Sequence, residues 1–306
     1  MNNQIQIIKL FGHWLLRFGI CLVVIPKSLK KLLFNSGTVV IGISWLLVIC
    51  PIIFAQPKYP QRIISGMPSI TEMLFALGLE DRIVGVTANC NYPPEALKKE
   101  KIGGFFLNLE KIVSLKPDLV VMLEDTQKQD IKRLKDYGLP VYTINPHTVV
   151  EVMDSLVKLG EVTGKRKEAK ILIKQMKNRI ASVQPKGTSS LERPRVLVIV
   201  GYRPLIVAGA GTFIDDIIKY AGGENIAQDA KASYPQYSFE RLIKEDPEYM
   251  IIPEGVVEKE EIARDSRWQS LQAVRGNKIL FINADILSRP GPRLVEAIEK
   301  IADFIH

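Results

Sequence analysis

Histidine and cysteine are scarce in this chain of 306 residues, which contains only three of each. The three histidines are far apart along the sequence, so a histidine-rich metal site is not expected. Only Cys90 lies beyond the N-terminal region, which excludes an internal disulfide in the globular part. No Gly-Lys-Ser/Thr phosphate loop is present, and the stretch 209–215 lacks the third glycine of a dinucleotide loop. These motifs select no set of catalytic residues and no metal site, and no resident cofactor is expected.

Acidic residues are absent from positions 1–61, which carry six basic residues. The rest of the chain carries 35 basic and 33 acidic residues, so the net charge of +8 belongs mostly to this N-terminal region. Because the remainder is nearly neutral, no nucleic-acid partner is predicted.

Charged residues of either sign are absent from positions 32–57. Within this range, residues 38–55 form an apolar run about long enough to span a bilayer. Lys27, Lys30 and Lys31 precede the run, and the positive-inside tendency puts the following domain outside the cytoplasm. We predict that residues 1–61 are a leader with a membrane anchor or a signal segment. The location expected for the rest is periplasmic or extracytoplasmic, whether anchored or secreted.

Short apolar strand candidates alternate with helical patterns over residues 62–147 and again over 194–306. This alternation favours an α/β fold with two lobes of mainly parallel sheet. Residues 148–193 between them read as a helical connector and a polar linker, with a helix of roughly 28 Å. Two such lobes leave a cleft at the ends of their strands, where ligands bind in sheets of this kind.

In the first lobe, Ser69 is predicted to cap a helix, with Glu72 three residues later and Gly78 at the C-terminal end. Tyr92 follows a predicted strand and precedes two prolines, which hold it in an extended conformation. It is either the rigid wall of a ligand site or a cap on the core. Arg289 and Arg293 flank a proline-rich turn and either face the cleft or form a surface pair.

Four stretches place aromatic residues, carboxylates or arginines beside turns at the lobe edges: NYPPEA (91–96), GGFFLNLEKIVSLKPDLVV (103–121), YPQYSFERL (234–242) and SRPGPRL (288–294). Over about residues 62–306 the chain resembles the class III substrate-binding proteins of ABC importers, which serve vitamin B12, haem and iron–siderophores. NYPPEA and RPGPRL look most like the cobalamin-binding branch. The resemblance implies two Rossmann-like lobes joined by one long helix.

The resemblance also implies roles for individual residues. Ligand contacts are expected from aromatic walls and a polar rim of the cleft, namely Tyr92, Phe105, Phe106, Tyr234, Asp285 and Arg289. One carboxylate per lobe, Glu110 in the first and Glu240 in the second, is expected to dock onto arginines of the permease.

The function that the resemblance implies is a monomeric extracytoplasmic solute-binding protein without catalytic activity. It would capture cobalamin or a related corrinoid and deliver it to the permease and ATPase of an ABC importer. A haem or iron–siderophore binder of the same fold remains open. So do an α/β enzyme that uses the cleft and a membrane-anchored scaffold.

Overall fold

A computed structural model describes residues 59–184 and 193–306, which contain two lobes built on separate sheets. The first sheet consists of β1 (Ile63–Ser65), β2 (Ile83–Val86), β3 (Leu119–Leu123) and β4 (Val141–Ile144). The strands are parallel and lie in the order β2-β1-β3-β4. Every side chain of β3 is buried, as expected for an inner strand of a parallel sheet that is covered on both faces.

The helices of the first lobe are α1 (Pro68–Ala76), α2 (Leu109–Ser114) and α3 (Lys128–Asp136), with 3₁₀ turns at Glu80–Arg82 and Pro94–Lys98. As predicted, Gly78 follows the C-terminus of α1 in a left-handed conformation, with φ of 67°. The predicted capping box at the other end is wrong. The N-cap is Met67 and not Ser69, so the helix begins two residues earlier than predicted, at Pro68, because proline suits the first helical position. Ser69 therefore lies inside the helix, and Glu72 is buried.

The connector between the lobes consists of α4 (Val149–Thr163) and α5 (Arg166–Val183). Thr148 caps α4 by accepting a hydrogen bond from the amide of Glu151. Gly164, with φ of 78°, ends α4 and allows the chain to turn directly into α5. The second of these helices packs against α4 and against the C-terminal helix of the chain.

The second sheet consists of β5 (Arg195–Gly201), β6 (Ile206–Val207), β7 (Glu224–Asn225), β8 (Tyr249–Pro253) and β9 (Ile279–Ile282). Its order is β6-β5-β8-β9, and β7 pairs with β5. Only β6 runs antiparallel to its neighbour among these pairings.

The helices of the second lobe are α6 (Phe213–Tyr220), α7 (Phe239–Glu245), α8 (Lys259–Arg264), α9 (Ser266–Gln269), α10 (Gln272–Arg275), α11 (Ala284–Ser288) and α12 (Leu294–Ile305). The last of them, α12, packs on both α5 and α6. Strand–helix alternation thus continues through both lobes, and the predicted α/β class with mainly parallel sheets is confirmed.

One hydrophobic cluster runs through both lobes and the connector. It contains Ile63 and Val121 of the first sheet, Met176 of α5, Val198 of the second sheet and Ile298 of α12. Each sheet has a second, smaller cluster on its opposite face. The shared cluster means that the two lobes are packed together along one side, which leaves the cleft at the other.

None of the helices in residues 59–184 and 193–306 combines the length and apolar character needed to cross a membrane. The predicted leader segment at 38–55 lies outside the described residues, as does most of the predicted polar linker.

The interlobe cleft as candidate ligand site

The cleft between the lobes holds a cavity of about 840 Å³. Its walls are built from segments that follow strands of both sheets, including 88–91 after β2, 145–147 after β4 and 285–290 after β9. The N-terminal end of α6 and the segment 233–234 complete the second lobe's side. Its volume lies within the roughly 300–1,000 Å³ typical of small-molecule sites. The cavity therefore lies where the sequence predicted a ligand cleft.

A buried ion cluster joins the lobes beside this cavity. Arg289 donates through Nη1 to Oε1 of Glu72 at 3.0 Å. Arg293 donates through Nε and Nη2 to the two oxygens of the same carboxylate, each at 3.0 Å. The Glu72 side chain is only 2% exposed, and these two arginines from the opposite lobe compensate for the burial of its carboxylate. The alternative of a surface arginine pair is therefore wrong.

Asn91 extends the contact between the lobes into the cavity. Its amide oxygen accepts from Arg289 at 2.8 Å, and its amide nitrogen donates to Asp285 at 3.0 Å. Arg289 also forms an ion pair with Asp285 at 2.7 Å. Asn91, Asp285 and Arg289 all line the cavity, and their side chains form a closed set of charge-assisted hydrogen bonds in its wall.

The charges that line the cavity are nearly balanced. Asp125 and Asp285 are its acidic residues, and Arg289 is its basic one. Because Arg289 is already paired with both Asp285 and Glu72, it does not leave an excess of positive charge in the cleft. Among the described residues, the cavity lining therefore contains no unpaired lysine or arginine for a strongly anionic ligand.

A polar group lies at the edge of the first sheet, where β3 and β4 end. Asp125 accepts a hydrogen bond from the side-chain amide of Asn145 at 2.7 Å, and Nε2 of His147 lies 3.1 Å from the same carboxylate. The Asn145 hydrogen bond, together with Lys128 and His147, holds the pKa of Asp125 below its ordinary value. Asp125, Asn145 and His147 all line the cavity, and each is at least partly exposed, so their side chains can reach a ligand.

Tyr234 and Phe213 provide aromatic surface on the second lobe's side of the cavity. The Tyr234 side chain remains about half exposed, and desolvation raises the pKa of its phenol. The ring therefore stays neutral at pH 7 and offers an uncharged face to a flat ligand.

Tyr92 is placed differently from Tyr234. Its ring lies beneath the guanidinium of Arg293, whose central carbon is 3.8 Å from the ring centroid. It lines a second cavity of about 820 Å³ on the connector side, whereas the neighbouring Asn91 lines the cleft. The structure thus does not bring Tyr92 and Tyr234 together on one ligand cavity.

Phe105 and Phe106 are 90% and 81% exposed and pack against each other edge to face. They do not belong to the cavity lining, although their loop is joined to it: the amide of Ala88 donates to the carbonyl of Gly103 at 2.7 Å. The pair is thus near the cleft and not in it.

Glu110 and Glu240 are exposed residues in the first turns of α2 and α7, one in each lobe. Neither lines the cleft cavity. Hydrogen bonds from Ser238 and from the backbone lower the pKa of Glu240, which keeps its carboxylate charged at neutral pH.

The glycine-rich stretch before α6 has a structural role in this fold. Asp215 is buried and accepts from the amide of Gly211 at 3.0 Å, from Lys219 at 2.6 Å and from Asn225 at 3.0 Å. These bonds fold the loop against its own helix and occupy the carboxylate. Within the described ranges, no group of three or more His, Cys, Asp or Glu side chains is arranged to hold a metal ion.

The sequence pattern of the family described as periplasmic binding protein matches residues 63–286, which contain both sheets and most of the cleft. The chain belongs to the periplasmic binding protein family. Its members are solute-binding proteins and not enzymes, so the predicted absence of catalytic function agrees with the family. Together with its relatives, the family makes this chain a periplasmic-type substrate-binding protein of an ABC transporter, which implies a permease and an ATPase as partners.

Two curated relatives resemble the whole globular region. An uncharacterized ABC transporter substrate-binding lipoprotein of Bacillus subtilis, YvrC, is 36% identical over 256 residues, which cover 81% of each chain. The vitamin B12-binding protein of Vibrio cholerae is 28% identical over 262 residues, covering 85% of this chain and 94% of the relative. Among solved structures, the periplasmic haem-binding protein RhuT from Roseiflexus has a TM-score of 0.69 and 25% identity, covering 80% of this chain and 97% of RhuT.

Four residues were not predicted as site residues: Asn91, Asp125 and His147 line the cleft, and Glu72 belongs to the ion cluster beside it. Asp125 and His147 each come within three residues of the end of a strand. If β3 and β4 are assumed to be parallel neighbours, both residues fall at the sheet edge where ligands bind, and this signal could have found them. No local signal existed for Glu72, since its partners are 217 and 221 positions away.

Proposed function

We propose that the cleft captures a corrinoid of the vitamin B12 type for an ABC importer. The observation that carries this proposal is the charge balance of the cavity, in which Arg289 is already neutralised by Glu72 and Asp285. A corrinoid presents neutral amide side chains around a flat ring, whereas haem presents two carboxylates. Asn91, Asn145 and the paired ions can exchange hydrogen bonds with amides without needing surplus positive charge.

The aromatic surface supports the same ligand. Tyr234 offers a neutral ring face to a macrocycle, and aromatic walls bury apolar area with little loss of rotamer entropy. Phe105 and Phe106 are exposed on a loop that is hydrogen-bonded to the cavity wall at Ala88, and in this proposal they cover the outer edge of a ligand larger than the cavity. The corrinoid is in this proposal the transported ligand and not a resident cofactor.

Calorimetric titration of the full chain with cyanocobalamin, haem and a ferric siderophore tests the ligand class. We expect saturable binding of cyanocobalamin with an affinity that changes little between low and high salt, since no ion pair to the ligand is involved. Tyr234→Ala should weaken this binding by about tenfold. Saturable binding of haem or siderophore together with no heat from cyanocobalamin would overturn the corrinoid assignment.

Haem is the second candidate, and His147 is the observation that favours it. Its imidazole lines the cavity, and a neutral imidazole is a common ligand of iron. Asp125, at 3.1 Å from Nε2, would orient the ring as carboxylates do at other metal-ligating histidines. A haem Soret spectrum that changes between the wild type and His147→Ala would support this candidate. An unchanged spectrum would remove the observation behind it.

We further propose that Glu110 and Glu240 dock the loaded protein onto arginines of the two permease subunits. Bidentate arginine–carboxylate contacts fix geometry as well as add energy. Glu110→Ala with Glu240→Ala should leave ligand affinity unchanged and weaken binding to the permease–ATPase complex. Glu168→Ala with Glu260→Ala is the matched control, because it also removes two first-turn acids from helices. Equal effects of the two double variants would leave only the helix-dipole role.

For the leader, we propose that residues 38–55 insert into the membrane and that the binding domain faces outward. The support is the basic cluster Lys27–Lys31 before an uncharged run. Protease added to intact spheroplasts should digest the domain from residue 59 onward. A domain that is degraded only after lysis would refute this orientation.

A further inference from the structure

Helices α2 and α7 belong to a repeat that relates the two lobes without a gap. Residues 108–122, NLEKIVSLKPDLVVM, correspond to 238–252, SFERLIKEDPEYMII. Asn108 and Ser238 each cap their helix by accepting a hydrogen bond from the amide three residues later. The same local structure therefore presents Glu110 in one lobe and Glu240 in the other.

Both helices are also held in the same way at their C-terminal ends. Arg62, just before β1, donates to the carbonyl of Leu115 at 2.6 Å. Arg195, at the start of β5, donates to the carbonyl of Glu245 at 2.8 Å. An arginine at or just before the first strand of each lobe thus satisfies helix carbonyls that would otherwise lack a partner. Each helix is therefore anchored to the sheet of its own lobe.

The two copies of the repeat also share the same pattern of buried and exposed side chains. Residues 107–115 and 237–245 alternate between buried and exposed positions in the same order. At the equivalent positions Val113 and Ile243, a β-branched apolar side chain is 42% exposed in both lobes. On a helix, a residue and the one three positions later are surface neighbours, so each of these side chains lies beside Glu110 or Glu240.

We propose that Val113 and Ile243 are the apolar half of the permease contact, each entering an apolar pocket beside the arginine that binds the neighbouring glutamate. This inference rests on the proposed docking role of Glu110 and Glu240. Two equivalent permease subunits are the occupant that fits, because the surface occurs twice with the same charge and the same apolar neighbour. An apolar side chain beside an ion pair excludes water and strengthens the pair.

The test measures binding of the full chain to the permease–ATPase complex of the importer that requires it for uptake, reconstituted in nanodiscs. Val113→Ser with Ile243→Ser should weaken this binding by about tenfold. Cyanocobalamin affinity, or that of haem if haem is the ligand, should change less than about twofold. Val150→Ser with Ile171→Ser is the control, since these connector side chains are 52% and 60% exposed and lie on α4 and α5.

Each outcome separates this inference from the docking proposal. Weaker binding by the α2/α7 serine variant alone, with the connector control unchanged, supports the apolar contact. If that variant binds normally while Glu110→Ala with Glu240→Ala does not, the apolar contact is refuted and docking by the glutamates stands. If the Val113/Ile243 serine variant and the Glu110/Glu240 alanine variant both bind normally, the apolar contact and the glutamate docking are both refuted. Val113→Thr with Ile243→Thr, closer in shape to the native side chains, repeats the measurement should the serine variant be unstable.

Discussion

Replacing Glu72 should destabilise the protein more than replacing any surface acid, because its carboxylate holds two arginines of the opposite lobe. Glu72→Ala leaves Arg289 and Arg293 facing each other at 13% and 16% side-chain exposure. Arg289 keeps Asp285 and Asn91, whereas Arg293 keeps mainly its contact with the Tyr92 ring.

The size of the effect follows from these contacts. Breaking a buried ion pair by removing one partner costs about 3–5 kcal/mol, and the remaining contacts of Arg289 favour the lower half of this range. Glu72→Gln keeps the shape and one acceptor, and we expect it to cost about 2 kcal/mol, in line with hydrogen bonds to charged groups. The wild type should therefore be the most stable form, followed by Glu72→Gln and then by Glu72→Ala.

Urea denaturation of the full chain, followed by circular dichroism, measures these differences as shifts in the midpoint at constant m-value. The matched control is Glu299→Ala, which removes a pair with Arg179 whose side chains are 27% and 49% exposed. That exposed pair should contribute less than about 1 kcal/mol. A loss below about 1 kcal/mol for Glu72→Ala, or one equal to the control, would refute the assignment of Glu72 as the link between the lobes.

Two further substitutions test local parts of the structure. Gly164→Ala should cost more than the roughly 1–2 kcal/mol of left-handed strain, because its Cβ would also lie 2.5 Å from the Tyr59 ring. Gly138→Ala is the control, since Gly138 has a similar φ with open space around it and should show the strain alone. Equal losses in the urea midpoint for the two variants would contradict the clash with Tyr59. Asn145→Ala should raise the pKa of Asp125 toward its ordinary value, and an NMR titration with an unchanged or lower pKa would contradict the hydrogen bond as its main cause. In the wild type the stabilisation from this lowered pKa is present at neutral pH and is lost as the pH falls through the folded-state pKa, so the variant should lose less stability in acid.

Much of the architecture could be predicted because it follows from short segments. The alternation of apolar runs with amphipathic stretches depends on neighbours within one helix or strand, and it correctly indicated the two α/β lobes. The left-handed residue after α1 was predictable because only Gly78 is free of a side chain at that turn. The cleft followed from a general property of parallel sheets, whose strand ends form one edge.

The side-chain partners across the cleft could not be predicted in this way. Glu72 matches a capping box by spacing, yet its contacts with Arg289 and Arg293 exist only once α11 and α12 return to the first lobe. Tyr92 and Asn91 are adjacent in sequence but line different cavities, a choice made by the path of the chain after β2. The sequence by itself thus determined which segments form helices and strands, since those energies are local. The tertiary structure alone decided which charges are buried together and which side chains line the cleft, because both depend on how distant segments pack.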